Sequence, residues 1–188
     1  MKRTFLLFAG SLMLFTLNYS CKKKGKNNPE ACNGSSTRRE IKLCTDSAAA
    51  EIDTIPIIAS IDSLCGLDLI EAKSETERQD IEKQVFTITG VVDKVKKYKD
   101  GDYHIKLVDE NENFINCEAP NQGCSFAAGS PFVNKFVTVR NWIEANEDDL
   151  EGDTLTITGV AFIDLDHHYP RNAAPNEFEI HPILDISF

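Results

Sequence analysis

From Gln84 onward apolar and polar residues alternate in five runs. Phe86, Ile88 and Val92 interleave with Thr87, Thr89 and Asp93, the period of a half-buried strand. Tyr103, Ile105 and Leu107 interleave with His104, Lys106 and Val108, and Phe114 to Glu118 is a third, shorter run. Leu155, Ile157, Ala161 and Ile163 form a fourth run through Gly159. Phe178, Ile180, Leu184, Ile186 and Phe188 are the inward set expected of the fifth. Lys99-Asp100-Gly101-Asp102 carries the Asp-Gly chemistry of a turn, and Asp109 to Asn113 is a second turn. Between the third and fourth runs the spacing becomes helical, through Phe132, Phe136, Val139, Arg140 and Ile143. Ser130 supplies a cap and Pro131 the first helical position, and the helix is expected to end near Asn146.

The order strand, strand, strand, helix, strand, strand predicts a mainly β protein, an OB-like five-stranded barrel. The segment Thr-Ile-Thr-Gly-Val occurs at Thr87–Val91 and again at Thr156–Val160. The two copies are expected to lie in neighbouring strands, each bent at its glycine, Gly90 or Gly159. Such a bend lets a long strand coil and pair at both ends, which a small closed barrel needs. A helix-capped sandwich is the rival fold.

Residues 38–83 read as an irregular arm packed on the barrel domain, residues 84–188. Arg39 to Leu43 alternates and suggests a short strand, Ser47 to Ile52 a helical turn. Ile55-Pro56-Ile57-Ile58 is extended, because proline disfavours helix before it. Glu71 to Lys83 is almost wholly charged or polar and is expected to be a surface loop or an exposed helical turn.

The first residues predict an address. Lys2 and Arg3 precede the apolar run Phe5 to Leu17, and small Ser20 precedes Cys21. Residues 1–20 therefore read as a secretory signal, too short for a spanning helix. Leu17-Asn18-Tyr19-Ser20-Cys21 is a loose lipoprotein cleavage box, with leucine one place early. On that reading Cys21 is diacylated and moors the chain to a membrane; the alternative is ordinary cleavage with Cys21 a spare thiol. Residues 21–37, with Lys22-Lys23-Lys24-Gly25-Lys26, form a tether. The expected address is the bacterial cell envelope, facing the periplasm.

Charge narrows the partners. Residues 1–44 hold 9 Lys+Arg and 2 Asp+Glu of the chain's 20 and 30, leaving 11 against 28 in residues 45–188. A domain that acidic repels phosphate backbones, so nucleic acid is disfavoured. With Cys21 acylated, Cys32, Cys44, Cys65, Cys117 and Cys124 remain, and an oxidising space favours disulfides. Cys117 with Cys124 is the favoured pair, across a Pro-Asn-Gln-Gly turn, and Cys32 with Cys44 comes second.

Several segments resemble a widespread family of small exported bacterial proteins with an OB-like domain. They are Arg38-Arg39-Glu40-Ile41-Lys42, Asp102-Tyr103-His104-Ile105, Glu118-Ala119-Pro120 with Cys124, Ser130-Pro131-Phe132 with Arg140, and Thr158 to Asp164. The most specific is Ala174 to Ile186, with its Asn-Glu-Phe-Glu-Ile-His-Pro-Ile-Leu-Asp-Ile core. Cys117 departs from the pattern, as does His167-His168-Tyr169-Pro170-Arg171, where the family more often has a glycine-containing loop. The resemblance implies fold and export and leaves activity open.

Candidate chemistry gathers on the last strands. Glu179 and His181, two apart, share a face, with Asp185 further on; His104 and Glu118 sit on the second and third strands. With His167 and His168 in the preceding loop, these types are sufficient for a zinc-like site if they converge. The plainer reading is structural: His104 and Glu118 fix strand ends, and Glu179 holds the tautomer of His181. No G-x-S-x-G, Walker loop or G-x-G-x-x-G occurs. Lys94, Lys96, Lys97 and Lys99 around Tyr98 form a basic hairpin, read as solvated, with an acidic partner, a sugar acid or nucleic acid the alternative. The function expected is a binding or interaction module without cofactor, taking an envelope protein or a glycan. The alternative is a divalent-metal hydrolase, zinc for example, using His104, Glu118, Glu179 and His181 with His167.

Overall fold

The structure is a computed structural model and describes Cys32, Ser35, residues 37–166, Ala174 and residues 176–188. The signal segment, Cys21, nearly all of the tether, His167 and His168 lie outside the described residues. No described helix is long and apolar enough to cross a membrane.

The alternating runs become strands β2 (Gln84–Lys97), β3 (Tyr103–Val108), β4 (Phe114–Ala119), β5 (Thr154–Ile163) and β6 (Phe178–Ser187), with helix α3 (Val133–Asn146) between β4 and β5. The strands close in the order β2-β3-β4-β6-β5 with β5 returning to β2, and β4 runs parallel to β6. This is an OB-like barrel with one main helix. Tyr103, Ile105 and Leu107 face Ile115, Cys117 and Ala119 inside it, and the core continues through Ile157, Ile180 and Ile183 to Val139 and Ile143 of α3.

The two copies of the repeat close the barrel on each other. Ile88 lies opposite Ile157, Thr87 opposite Thr158 and Thr89 opposite Thr156. The threonine hydroxyls pair at 2.7 and 3.0 Å. Both glycines are required by close approach. A Cβ on Gly159 would stand 2.4 Å from Ile180 Cγ2 and 2.5 Å from the Pro182 carbonyl oxygen. A Cβ on Gly90 would meet Ile61 Cδ1 at 2.7 Å and the Val108 carbonyl oxygen at 2.9 Å.

The arm is more ordered than the sequence indicates. Arg39–Lys42 is a helical turn, α1, and not a strand. Arg38 takes φ 48°, and its carbonyl accepts the N–H groups of Ile41 and Lys42, which turns the chain before alternation can express itself. Asp53–Ile58 is β1, paired parallel to the start of β2, and all six of its residues are exposed. Helix α2 (Ile61–Cys65) follows, capped by Ser60 Oγ on the Ser63 N–H. Leu43, Cys44, Ala49 and Ile52 pack on Val85, Val160 and Leu184 outside the barrel wall.

Glu71–Lys83 is not wholly a surface loop, since Arg78 and Glu82 within it are buried. Glu82 Oε2 accepts from Arg38 Nη2 at 2.7 Å and its Oε1 from the Ile163 N–H at 2.9 Å, while Arg38 Nη1 donates to the Ile163 carbonyl. The end of β5 is thereby capped by an arm ion pair. Breaking such a pair costs roughly 3–5 kcal/mol, because the remaining charge stays buried.

Other expectations shift by small amounts. Regular helix begins at Val133, two residues late, because 130–132 form a lead-in turn in which Ser130 Oγ accepts the Phe132 N–H. Register breaks between Thr158 and Ala161 against β6 disturb the alternation of the last strand. Ile183 therefore enters the core, Leu184 joins the cluster under the arm, and Phe188 stays 66% exposed against Trp142.

The disulfide is neither expected pair. Cys32 is bonded to Cys124, with their Cα atoms 5.7 Å apart, and Cys117 and Cys44 are free. Cys117 points into the barrel, opposite Ile105, whereas Cys124 belongs to the loop after β4 and reaches Cys32 of the tether. Cys44 is buried in the cluster beneath the arm. The bond ties the start of the described chain to the barrel across 92 residues.

Gly159→Ala is expected to lower unfolding free energy by about 3 kcal/mol or more, the upper end for overpacking, since the obstructing atoms include backbone. Urea denaturation checks it; an unchanged midpoint would show that β5 and β6 can move apart.

Candidate functional site

Inward positions of β3 and β4 build the core, so His104 and Glu118, which are paired in register, point outward. The β4–β6 pairing of Asn116 with Glu179 and Cys117 with Ile180 brings Glu179 and His181 onto the same outer row. Water would reach this row on a bare barrel. Instead Glu118, Glu179 and His181 are 3%, 3% and 1% exposed, with Lys42 of α1 reaching over them.

Glu118 is the hub. Its Oε1 is 2.9 Å from His104 Nδ1, and its Oε2 is 2.9 Å from His181 Nδ1 and 3.9 Å from Lys42 Nζ. Lys42 Nζ also lies 3.5 Å from Asp164 Oδ2 and 3.9 Å from Glu179 Oε2. Phe162 forms the apolar side, 4.9 Å from the ammonium and edge-on to His181 at 5.9 Å.

One ammonium among several carboxylates sets the protonation. Burial would lift Glu118, but Lys42, then His104 and His181, hold its carboxyl well below the usual range. Burial, and next the charge of Glu118, push Glu179 well above it. Burial opposes the charge of Lys42, yet Glu118, Glu179, Asp164 and Asp102 together keep it protonated beyond its ordinary range. Asp102 is pushed up to about 6 by burial, against the pull of His181.

These groups border a pocket of about 120 Å³, lined by Lys42, Asp102, Glu118, Asp164 and His181 with Phe126 on its rim. The β2–β3 turn forms one wall, and the start of the β5–β6 connection, Asp164 and Leu165, another. The turn is held from behind. Arg140 of α3 donates to the Gly101 carbonyl at 2.7 Å, and the Asn121 N–H donates to Asp102 Oδ1 at 2.7 Å. A larger depression of about 730 Å³ lies on the arm; exposed side chains such as Glu51 and Glu75 border it, and its buried Arg38 and Arg78 are hydrogen-bonded to Glu82, Asp46 and backbone carbonyls.

Of the residues singled out in the sequence, His104, Glu118, Glu179 and His181 do converge. Only Glu118 and His181 open onto the pocket; His104 and Glu179 stand behind them. His181 contacts Glu118 and not its strand neighbour Glu179, as the structural reading had supposed. Asp185 is exposed. Lys42, Asp102 and Asp164 were missed. Lys42 sat in a segment read as strand and Asp102 in a turn, and neither pattern signals a shared site. The basic hairpin is exposed at Lys94, Lys96 and Lys99, with Lys96 over Tyr98 and Tyr98 stacked on His104 at 4.0 Å.

No protein-family model matches the chain, and no curated protein matches it. Two similar solved structures are of asparaginyl-tRNA synthetase from Entamoeba histolytica. One is in complex with asparaginyl-adenylate, at TM-score 0.40 and 16% identity, covering 70% of this chain and 23% of that one. The other has TM-score 0.43 and 12% identity, covering 72% and 24%. This chain spans less than a quarter of the length of those enzymes. The chain carries an OB-like module. Its own strand order, closed from β2 round to β5, is that of the fold.

Glu179 gives a pH test of the shared ammonium. Its folded pKa is raised, so its contribution to stability is present below the ordinary glutamate range and is lost as pH rises through the raised value. Glu179→Gln stays neutral throughout. The variant is expected to gain stability relative to the parent between pH 5 and pH 8 by urea denaturation. A difference that is flat, or that falls with pH, would show Glu179 ionised at little cost.

Proposed function

We propose that this protein is a lipid-anchored component of the bacterial cell envelope whose OB-like module binds a glycan or protein partner at the pocket beside His181. The observation that carries this reading is the location of the pocket. It lies on the outer face of β4 and β6, between the β2–β3 turn and the start of the β5–β6 connection, with Lys42 of α1 over it. Those two loops, and the face to which β4 belongs, are where OB-folds take oligonucleotides and oligosaccharides. The excess of acidic residues, Asp100, Asp102 and Asp164 at the pocket among them, argues against a polyanion. Carboxylates accept hydrogen bonds from sugar hydroxyls, and Asp102, Glu118 and Asp164 line the pocket. The signal-like residues 1–20 and Cys21 supply the proposed anchor, and the Cys32–Cys124 bond suits an oxidising compartment.

Metabolic labelling with a fatty-acid analogue is expected to mark the parent chain and not Cys21→Ser. A glycan array and an envelope pull-down with residues 22–188 are expected to capture a ligand, with at least tenfold weaker retention by Asp164→Ala. An unlabelled parent chain removes the anchor, and clean negatives in both screens at high concentration remove the binding role.

A further inference from the structure

We infer that Asp102, Glu118 and His181 form a site for one divalent transition-metal ion of the zinc class. The three side chains come from the β2–β3 turn, β4 and β6, and offer ligand atoms that all lie within 4.8 Å of one another. Zinc–ligand bonds of ~2.0–2.1 Å place tetrahedral ligand atoms about 3.3 Å apart. His181 Nδ1 and Glu118 Oε2, at 2.9 Å, are already near that spacing.

His181 supplies a second, independent observation. It is 1% exposed, it borders the pocket, and neither ring nitrogen has a hydrogen-bond partner among the described residues. The 2.9 Å approach of Nδ1 to Glu118 lacks hydrogen-bond alignment. A buried imidazole without hydrogen bonds is costly, and a metal ion is a partner that its lone pair can satisfy.

Charge and support agree. Asp102, Glu118, Asp164 and Glu179 surround the single ammonium of Lys42, whose contacts with the last three are stretched to 3.5–3.9 Å. A dication at Asp102 and Glu118 offsets their charge and leaves Lys42 to Asp164 and Glu179. The ligands carry the outer partners that metal sites use for orientation: His104 on the other oxygen of Glu118, and the Asn121 N–H on Asp102 Oδ1. One imidazole with two carboxylates suits zinc better than magnesium or calcium, which take oxygen ligands. The inference goes beyond the binding role and does not depend on which partner enters the pocket.

The test uses the full chain, purified without a histidine tag and stripped with chelator. Calorimetric titration with zinc chloride is expected to show one saturable equivalent, and magnesium chloride none. Cobalt chloride is expected to give visible ligand-field bands without a thiolate charge-transfer band. His181→Gln and the milder turn variant Asp102→Asn should each weaken zinc binding at least tenfold, no less than the loss of an outer partner costs. Both should also abolish the zinc-induced rise in thermal midpoint. Absence of a saturable equivalent, a thiolate band, or full affinity in Asp102→Asn with a native circular dichroism spectrum would each overturn the assignment.

Discussion

The fold depends on how closely β2 and β5 approach β6 and the arm. A five-stranded barrel closes only if its long strands coil tightly, and coiling brings backbones within a distance that a methyl group would block. Gly159 meets this requirement against Ile180 and Pro182, and Gly90 against Ile61 and Val108. The register of the repeat then follows. With Ile88 opposite Ile157, the flanking threonines face one another and their hydroxyls pair. A slip of one residue would turn both isoleucines out of the core.

Closure has a second consequence, because period-two alternation that fills the interior also prints a polar row on the outside. On β3, β4 and β6 that row is His104, Glu118, Glu179 and His181, and it acquires special chemistry only because the arm covers it. Lys42 lends it a cation, Phe162 an apolar side, and burial raises the cost of every unbalanced charge. The arm is in turn held at both ends of its contact. The Cys32–Cys124 bond ties down the end of the tether that leads into it, and the Arg38–Glu82 pair clamps the arm itself onto the last residue of β5.

The barrel was legible in the sequence because alternation, turn chemistry and the repeat all report local geometry. The outer row was legible for the same reason, as the two-residue spacing of Glu179 and His181 places both on one face. Lys42 and Asp102 were not, since their roles depend on contacts across long separations that no local period records. The disulfide failed likewise. Proximity in sequence favoured Cys117 with Cys124, but strand parity sends Cys117 inward and leaves Cys124 to Cys32 of the tether. The expected strand at Arg39–Leu43 was overridden by the left-handed backbone at Arg38, which alternation does not reveal.

The arm also accounts for why a buried polar cluster is tolerated. Replacing such charges with apolar groups is often neutral or stabilising, so burial of ions alone is weak evidence of a structural role. Here the stabilising work is done elsewhere, by Arg38 and Glu82, whose polar atoms are bonded to backbone and to each other. The Glu118 cluster differs in kind. Its cation contacts are stretched, Glu179 Oε2 and both nitrogens of His181 lack hydrogen bonds among the described residues, and a pocket opens directly onto it. A fold that satisfies one buried ion pair fully and leaves a second group underbonded beside an opening has the features of a scaffold in the first place and of a site in the second.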